Sequence, residues 1–210
     1  MVSKSQRIKN EQLKEIKLII PPDTNLPAAL SERDWIVQQL GNNMGLSVSI
    51  YSSYEQVIAS LETGGFDVLH FSTHGRYNAN NPILSGIQLE KGIDLRPTDI
   101  SGLARKFGNN KPMVILNACQ TGAQGFSLTG IQSWATRFLD AGASVFIGTL
   151  WSVTDYAAFT FAHELYTQLS NGTTLGDAVR AARIKCKDNG DPSWLAYQLY
   201  GHPNSQIIFR

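Results

Sequence analysis

The sequence predicts an α/β fold in which a mostly parallel sheet is covered by helices on both faces. Strand-like apolar runs alternate along the chain with segments of helical periodicity. Several strand candidates are continuously apolar, which is typical of strands buried on both faces. A polar, aperiodic start predicts a flexible lead-in at residues 1–14. The remaining residues, 15–210, have the length of one domain.

Strand and helix alternate strictly in the first part of the chain. Strands are predicted at 15–20 (EIKLII), 46–52 (LSVSIYS) and 66–72 (FDVLHFS). Helices are predicted between them, at 29–41 (ALSERDWIVQQLG) and 54–62 (YEQVIASLE). Short alternating runs around Lys91 and Gly92 then predict a small hairpin insertion at 83–97, which we expect to leave the main sheet.

The alternation resumes after the hairpin. Helices are predicted at 98–107, 130–142, 154–170 and 175–187. Strands are predicted at 111–122, 143–153 and, as a closing edge strand, 206–209. Gly142 closes the helix at 130–142, because glycine is the usual residue just after a helix end.

The composition is that of an ordinary soluble globular protein. Its 18 basic and 17 acidic residues leave a formal charge of +1, which gives no electrostatic signature of nucleic-acid binding. No apolar run reaches the roughly 18 residues of a membrane span, and no charged-then-apolar leader begins the chain. Two cysteines in a chain of this length suggest free thiols in a reducing compartment. We therefore expect a cytoplasmic protein without membrane contact.

Two predicted strands end in chemically reactive side chains. The run FDVLHFSTHG (66–75) ends in His74 and Gly75, and MVILNAC (113–119) ends in Cys119. In open α/β sheets, functional groups gather at the carboxyl ends of the strands. If these strands are neighbours, His74 and Cys119 emerge about one strand spacing apart, roughly 4.8 Å or slightly more. That separation suits a thiol and its general base.

A cysteine beside a histidine can act as a nucleophile. The reactive species is the thiolate, and a nearby imidazole can take the proton of the thiol or stabilise the anion. Acyl transfer also needs hydrogen-bond donors for the oxyanion, and backbone amides at a turn containing glycine can supply them. We expect the amides of Gly75 and Cys119 to fill this role. This chemistry requires no metal and no organic cofactor.

Each cysteine and strand histidine also has an ordinary structural interpretation. A lone cysteine in VILNAC is usually a small buried hydrophobe, and only its pairing with a strand-end histidine favours catalysis. His70 lies within its strand and is interpreted as a core histidine. Cys186 lies on a helix with basic neighbours and no adjacent histidine, so we assign it to packing.

Five segments together resemble the CHAT domain, a family of caspase-like cysteine peptidases. They follow the expected order along the chain and are FDVLHFSTHG, LSGIQLE, VILNACQTG, AGASVFIGTLWSVTD and WLAYQLYGHP. The stretch NACQTG (117–122) is similar to the caspase pattern Gln-Ala-Cys-x-Gly, with one extra residue before the glycine. This departure favours relatives of CHAT domains and separase over true caspases.

The resemblance implies a caspase-like three-layer sandwich with a His-Cys dyad at His74 and Cys119. It implies a cysteine endopeptidase with protein substrates. Such domains are commonly joined to a regulatory helical-repeat or sensor domain, or act with a regulatory partner chain, and the resemblance implies a role in bacterial defence or other regulated proteolysis. TLWSVTD (149–155) is similar to the separase stretch that lines the pocket for the residue before the cut. On that match Asp155 receives an arginine side chain and Trp151 forms a wall. Alternatively, Asp155 is the first-turn acid of the following helix.

Two other functions remain open. A non-catalytic interaction module with the same fold would dock a regulator, although the presence of both His74 and Cys119 favours chemistry. A different thiol acyl transferase or amidohydrolase on an α/β sheet would use the same two residues. Nucleotide binding is disfavoured, because no glycine-rich phosphate loop follows the first strand.

Overall fold

The fold, obtained as a computed structural model, is a three-layer α/β sandwich. The structure describes residues 13–23, 25–76, 85–100, 109–120 and 128–209. A mixed, mostly parallel sheet lies between two layers of helices, which confirms the predicted fold class.

The described residues form eight strands and five α-helices. The strands are β1 Glu15–Ile19, β2 Ser47–Tyr51, β3 Val68–Arg76, β4 Gly86–Gln88, β5 Asp94–Leu95, β6 Met113–Gln120, β7 Val145–Thr149 and β8 Tyr197–Tyr200. The helices are α1 Pro27–Ile36, α2 Tyr54–Thr63, α3 Leu128–Asp140, α4 Asp155–Ser170 and α5 Leu175–Asp188. The strand order is β2-β1-β3-β6-β7-β8, and only β8 is antiparallel to its neighbour in this row.

Capping residues fix where several helices begin. The side chain of Ser53 accepts a hydrogen bond from the amide of Gln56, and the two residues form a capping box at the start of α2. The side chains of Thr154 and Thr174 each accept a hydrogen bond from one backbone amide in the first turns of α4 and α5. After α3, Gly142 has φ +109°, a backbone angle that favours glycine, so the predicted helix end is confirmed.

The sheet separates two hydrophobic cores. One core packs the sheet against α1, α4 and α5, and the other packs it against α2 and α3. Along β3, Val68 belongs to the first core and Leu69 to the second, as the alternation of side chains in a strand requires. Burial on both faces explains why this strand is continuously apolar in sequence.

The hairpin does not leave the main sheet, contrary to the sequence prediction. Its first strand, β4, pairs antiparallel with the end of β3, where Gly75 lies opposite Ile87. The physical reason is the unequal length of the neighbouring strands. The pairing of β1 with β3 ends at Ile19 and Phe71, so the last residues of β3 have a free edge on that side. The hairpin occupies that edge.

Other predicted boundaries also change. The closing edge strand is β8, which pairs with β7. In the predicted strand 206–209, Gln206 forms only an isolated bridge with Thr174. In the predicted helix at 98–107, the described residues belong to the short 3-10 helix Pro97–Ile100, and the rest lies outside the described residues. Leu13 is buried and its amide donates to the carbonyl of Ile208, so the fold begins before the predicted boundary.

Candidate active site

The carboxyl ends of β3 and β6 form the centre of the candidate site. The two strands are parallel neighbours and pair continuously from Val68 opposite Met113 to Gly75 opposite Gln120. A slip of one residue would turn every core side chain of a strand to the opposite face. Burial on both faces therefore specifies this register strongly.

His74 and Cys119 are direct partners in this register. Neighbouring strands lie about 4.8 Å apart, so the two backbone positions are separated by a distance of that order. The His74 side chain is half-buried. A His74–Cys119 dyad requires β3 and β6 to be neighbours, and the strand order meets that condition.

A buried cluster of polar side chains surrounds His70 of β3 and Asn117 of β6, before the reactive ends of these two strands. We call it the polar network, and its members are Glu32, His70, Asn117, Tyr166 and Tyr197. None of the five is more than 2% exposed. Burial of polar groups costs free energy unless hydrogen bonds satisfy them. The bonds of this network are therefore a condition for the fold.

His70 is held at both ring nitrogens. Its Nε2 atom lies 2.6 Å from Oε1 of Glu32, and its Nδ1 atom lies 2.9 Å from the hydroxyl of Tyr166. Burial, followed by the nearby Glu32 carboxylate, raises the pKa of Tyr166 well above its ordinary value, so this phenol keeps its proton. The tautomer that satisfies every atom carries its proton on Nε2, donates to Glu32 and accepts from Tyr166.

Asn117 joins the second half of the network. Its Nδ2 atom donates to Oε2 of Glu32 at 3.1 Å and to the carbonyl of Ala158 at 2.9 Å, while its Oδ1 accepts from the Tyr197 hydroxyl at 2.8 Å. The Tyr197 ring is in turn stacked on Phe161, with centroids 3.5 Å apart. Asn117 thereby ties β6 to α1, α4 and β8.

The network lies directly before the candidate dyad along both strands. His70 precedes His74 by four residues on β3, and Asn117 precedes Cys119 by two residues on β6. Residues an even number apart on a strand belong to the same face of a sheet. The polar network therefore anchors the face of β3 that carries His74, and the segment of β6 that leads into Cys119, to the helical layer of α1 and α4.

Asp155 and Trp151 follow the next strand of the sheet, β7. Trp151 is half-buried and packs against the core of α1, α4 and α5. Asp155 is the first residue of α4, and its carboxylate reaches the start of α1. Its Oδ2 accepts from the amide of Ala28 at 2.7 Å and its Oδ1 from the amide of Ala29 at 3.1 Å. Asp155 thus stabilises the positive end of a second helix, which the sequence did not indicate.

Gly75 is paired on both sides within the sheet. It lies opposite Gln120 of β6 and opposite Ile87 of β4. The neighbouring Thr73 donates its hydroxyl proton to the carbonyl of Gln88 at 2.6 Å. These contacts fasten the hairpin to the end of β3, next to His74.

Cys186 lies on α5, in the core, and is 1% exposed. Burial, with a smaller contribution from the Asp191 carboxylate, raises its pKa from 9.0 to about 12. Its Sγ donates to the carbonyl of Ala157 at 3.6 Å. A thiol held neutral in this way is a packing residue.

The sequence predicts a core position for His70 but no partner for it. The other four network residues, Glu32, Asn117, Tyr166 and Tyr197, are not among the predicted site residues. One signal was available, because Glu32 shares the buried face of α1 with Ala29 and Ile36. A glutamate on a buried helix face requires a partner.

The described residues contain no group of three or more His, Cys, Asp or Glu side chains arranged to hold a metal ion. Among the helices within those ranges, none is both long and apolar enough to cross a bilayer.

The CHAT domain family model matches residues 4–207 of the chain. The chain belongs to the CHAT domain family. Its solved structural neighbours include the Arg-specific cysteine proteinase gingipain R, with a TM-score of 0.65 and 13% identity over 96% of this chain. Separase from Saccharomyces cerevisiae, in complex with securin, has a TM-score of 0.58 and 17% identity over 93% of this chain. No curated protein matches the sequence.

These neighbours are caspase-like folds, so this CHAT domain has a caspase-like fold. The chain covers 49% of the gingipain chain and 13% of the separase chain. At this level of identity the likeness concerns the fold.

Proposed function

We propose that this CHAT domain is a cysteine endopeptidase with Cys119 as nucleophile and His74 as its base. The observation that carries the proposal is the direct pairing of these two positions at the carboxyl ends of β3 and β6. The caspase-like fold of its peptidase neighbours supports the same assignment. We infer protein substrates from these neighbours.

The proposed reaction has two stages. His74 accepts the thiol proton of Cys119, and the thiolate attacks the peptide carbonyl carbon to form a tetrahedral oxyanion. The C–N bond then breaks, His74 protonates the leaving amine, and a thioester remains on Cys119. Water, deprotonated by His74, hydrolyses the thioester and releases the acid. We assign stabilisation of the oxyanion to the amides of Gly75 and Cys119.

The polar network supports this mechanism by fixing the strands that carry the dyad. Asn117 is bonded to α1, α4 and β8 two residues before Cys119, and His70 is bonded at both nitrogens four residues before His74. A fixed backbone matters because a misplacement of about 1 Å can cost roughly a hundredfold in rate. Glu32 and Asn117 act here as positioning residues.

We further propose cleavage after a basic residue. The similarity of the stretch 149–155 to the separase pocket suggests Asp155 as the acid and Trp151 as a wall. Both oxygens of Asp155 already accept bonds from α1 amides, so an arginine would use the second lone pair of each oxygen. Gingipain R is described as Arg-specific.

The family resemblance also suggests the setting of this activity. We propose that the chain is the protease module of a cytoplasmic bacterial defence or regulated-proteolysis system, controlled by a helical-repeat or sensor domain or by a partner chain. The structure of separase, of which this chain covers 13%, is a complex with securin.

Labelling with a thiol-directed peptide electrophile tests the proposed function. We expect an electrophile with arginine next to its reactive group to modify Cys119, and we expect Cys119→Ala to abolish labelling. Cys186→Ala is the matched control, because Cys186 is buried and protonated, and it should label like the wild type. Labelling of Cys119 no faster than a free thiol would contradict the proposal and favour a non-catalytic interaction module.

A further inference from the structure

The outward face of α5 carries a basic stripe. Arg180, Arg183 and Lys187 recur at spacings of three and four residues, which places them on one side of the helix. Arg180 and Lys187 are exposed and Arg183 is half-buried. Ile184, which is 41% exposed, lies among them.

This face forms one wall of a groove with a volume of about 450 Å³, which we call the α5 groove. Apolar side chains supply much of its remaining lining, namely Val179, Trp194 and Leu199. Trp194 belongs to the short 3-10 helix Pro192–Leu195, and Leu199 belongs to the edge strand β8. The groove therefore combines an apolar surface with a row of cations.

Two of the cations are held in place over an aromatic ring. The Cζ atom of Arg183 lies 5.9 Å from the ring centroid of Trp194, and the Nζ atom of Lys187 lies 5.3 Å from it. Arg183 also donates from Nε to the backbone carbonyl of Trp194 at 2.7 Å. Cation–π contacts of this kind orient a charged group without neutralising it.

These charges have no carboxylate partner within the described ranges. The ion pairs found there involve other residues on α1, β3 and the hairpin. α5 itself carries two carboxylates: Asp177, which is engaged by the hydroxyl of Thr174 at 2.7 Å, and the last residue Asp188, which forms none of these ion pairs. The whole chain has a formal charge of only +1, so the positive charge of this groove is a local arrangement.

We propose that the α5 groove docks an acidic peptide segment with an apolar anchor side chain, contributed by a partner protein. The cations would pair with the acidic side chains, and the surface around Ile184 and Leu199 would receive the anchor. Opposite charge across an interface steers association and fixes the register of the two partners.

The dimensions favour a peptide over a single small anion. The wall from Gly176 to Lys187 extends for about 16 Å along the helix axis at 1.5 Å per residue. An extended peptide covers that length with about five residues at roughly 3.3 Å each. A polyanion such as single-stranded DNA fits less well, because the basic stripe is short and Ile184 and Leu199 offer it no charge.

The groove is separate from the candidate dyad. Leu199 of β8 pairs with Ile147 of β7, which pairs with Ile115 of β6, four residues before Cys119. Two strand spacings and four residues along a strand amount to about 16 Å. Binding at the groove can therefore be measured whether or not the domain is a peptidase.

Fluorescence anisotropy on the whole chain tests the proposal. The probe is a labelled peptide of alternating glutamate and leucine, compared with peptides of alternating lysine and leucine and of alternating glutamate and serine. We expect the glutamate-leucine peptide to bind and its affinity to fall with added salt. Weaker binding of the glutamate-serine peptide is expected from loss of the apolar anchor.

Charge reversal on α5 provides a matched pair of variants. Lys187→Glu removes a groove cation, and Lys185→Glu makes the same charge change in the same last turn but outside the groove. We expect Lys187→Glu to weaken binding about fivefold and the double variant Arg180→Glu, Lys187→Glu to weaken it at least about twentyfold. Lys185→Glu should have little effect on binding. Ile184→Ser should also weaken binding of the glutamate-leucine peptide.

Three outcomes would overturn the proposal. The first is the absence of saturable binding of the glutamate-leucine peptide. The second is equal loss of affinity in Lys185→Glu and Lys187→Glu, which would indicate a general charge effect. The third is tighter binding of single-stranded oligothymidine than of the peptide, with the same dependence on Lys187, which would assign the groove to nucleic acid.

Discussion

The Oε1 atom of Glu32 lies 2.6 Å from the Nε2 atom of His70, and neither side chain is more than 1% exposed. The contact joins α1 to β3, four residues before His74. Glu32 uses its other oxygen to accept from Asn117 on β6. One buried carboxylate thus connects the two strands whose ends carry the candidate dyad.

The first prediction concerns this carboxylate. Glu32→Leu leaves the Nε2–H of His70 and one donor contact of Asn117 without their acceptor, and each buried donor left unsatisfied typically costs about 1–3 kcal/mol. We expect a loss of that order in the free energy of unfolding, measured by urea denaturation. Glu62→Leu on α2 is the control, because Glu62 is exposed and its replacement should stay within about 0.5 kcal/mol of wild type.

Glu32→Gln should recover part of this loss. Its amide oxygen can accept from Asn117, and its amide nitrogen can donate to Nε2 if His70 moves its proton to Nδ1 and donates to Tyr166. The expected order of stability is wild type, then Glu32→Gln, then Glu32→Leu. A glutamine variant less stable than the leucine variant would show that His70 cannot change its tautomer.

The second prediction concerns the pH dependence of the two thiols. The pKa of Cys186 is raised from 9.0 to about 12, so its thiolate is scarce between about pH 7 and pH 9. We expect iodoacetamide to modify Cys119 in the native protein and both cysteines after denaturation, as measured by mass spectrometry. Native Cys119→Ala should remain unmodified.

The same pKa shift has a consequence for stability. Because the folded state raises the pKa of Cys186, its contribution to stability is complete below the unfolded value of 9.0 and is lost as the pH rises toward about 12. Rapid labelling of Cys186 in the native protein at neutral pH would contradict this assignment.

The third prediction concerns the dyad. Cys119→Ala and His74→Ala should each reduce cleavage of a peptide substrate by at least about 10³-fold, because the two side chains act as one unit. The double variant should be no worse than either single variant. Both positions are at strand ends, so circular dichroism should show an intact fold. Wild-type cleavage by a folded Cys119→Ala protein would remove the dyad hypothesis.

The layers of the fold could be predicted from the sequence because each depends on local pattern. The strand β3 is continuously apolar since both of its faces are buried, with Val68 in one core and Leu69 in the other. The edge strand β8 was missed because Tyr197–Tyr200 is short and polar at Gln198. The segment 206–209 is more apolar but makes only bridge contacts.

The polar network could not be predicted because its members are distant in sequence. Glu32 and Asn117 are 85 residues apart, and His70 and Tyr166 are 96 residues apart. A strand-end histidine and cysteine can be found from the sequence, since parallel strands carry their ends to the same edge. Which buried donor meets which acceptor depends on how α1 and α4 pack, which no local pattern encodes.

The fourth prediction concerns Asp155, whose carboxylate caps α1. Asp155→Asn removes the negative charge of the carboxylate that accepts from the amides of Ala28 and Ala29. We therefore expect the free energy of unfolding to fall by about 1 kcal/mol. Asp34→Asn on the exposed side of α1 is the control and should change stability by less than about 0.5 kcal/mol.

If Asp155 also receives the basic residue of the substrate, the same Asp155→Asn variant should lose specificity. Its preference for arginine over norleucine should fall at least about tenfold, since charge-assisted bonds contribute roughly 1.5–3 kcal/mol.

Asp155→Glu separates these two roles. Glutamate keeps the negative charge that a guanidinium requires, but its longer side chain moves the oxygens away from the positions that face Ala28 and Ala29. If Asp155 binds the substrate, Asp155→Glu should lose stability yet keep most of the arginine preference, whereas Asp155→Asn should lose both. Profiling a peptide library on the three proteins gives the preference, and urea denaturation gives the stability. A preference that is the same in wild type, Asp155→Glu and Asp155→Asn would assign Asp155 to the start of α1 alone, and the specificity pocket would then be formed by other residues.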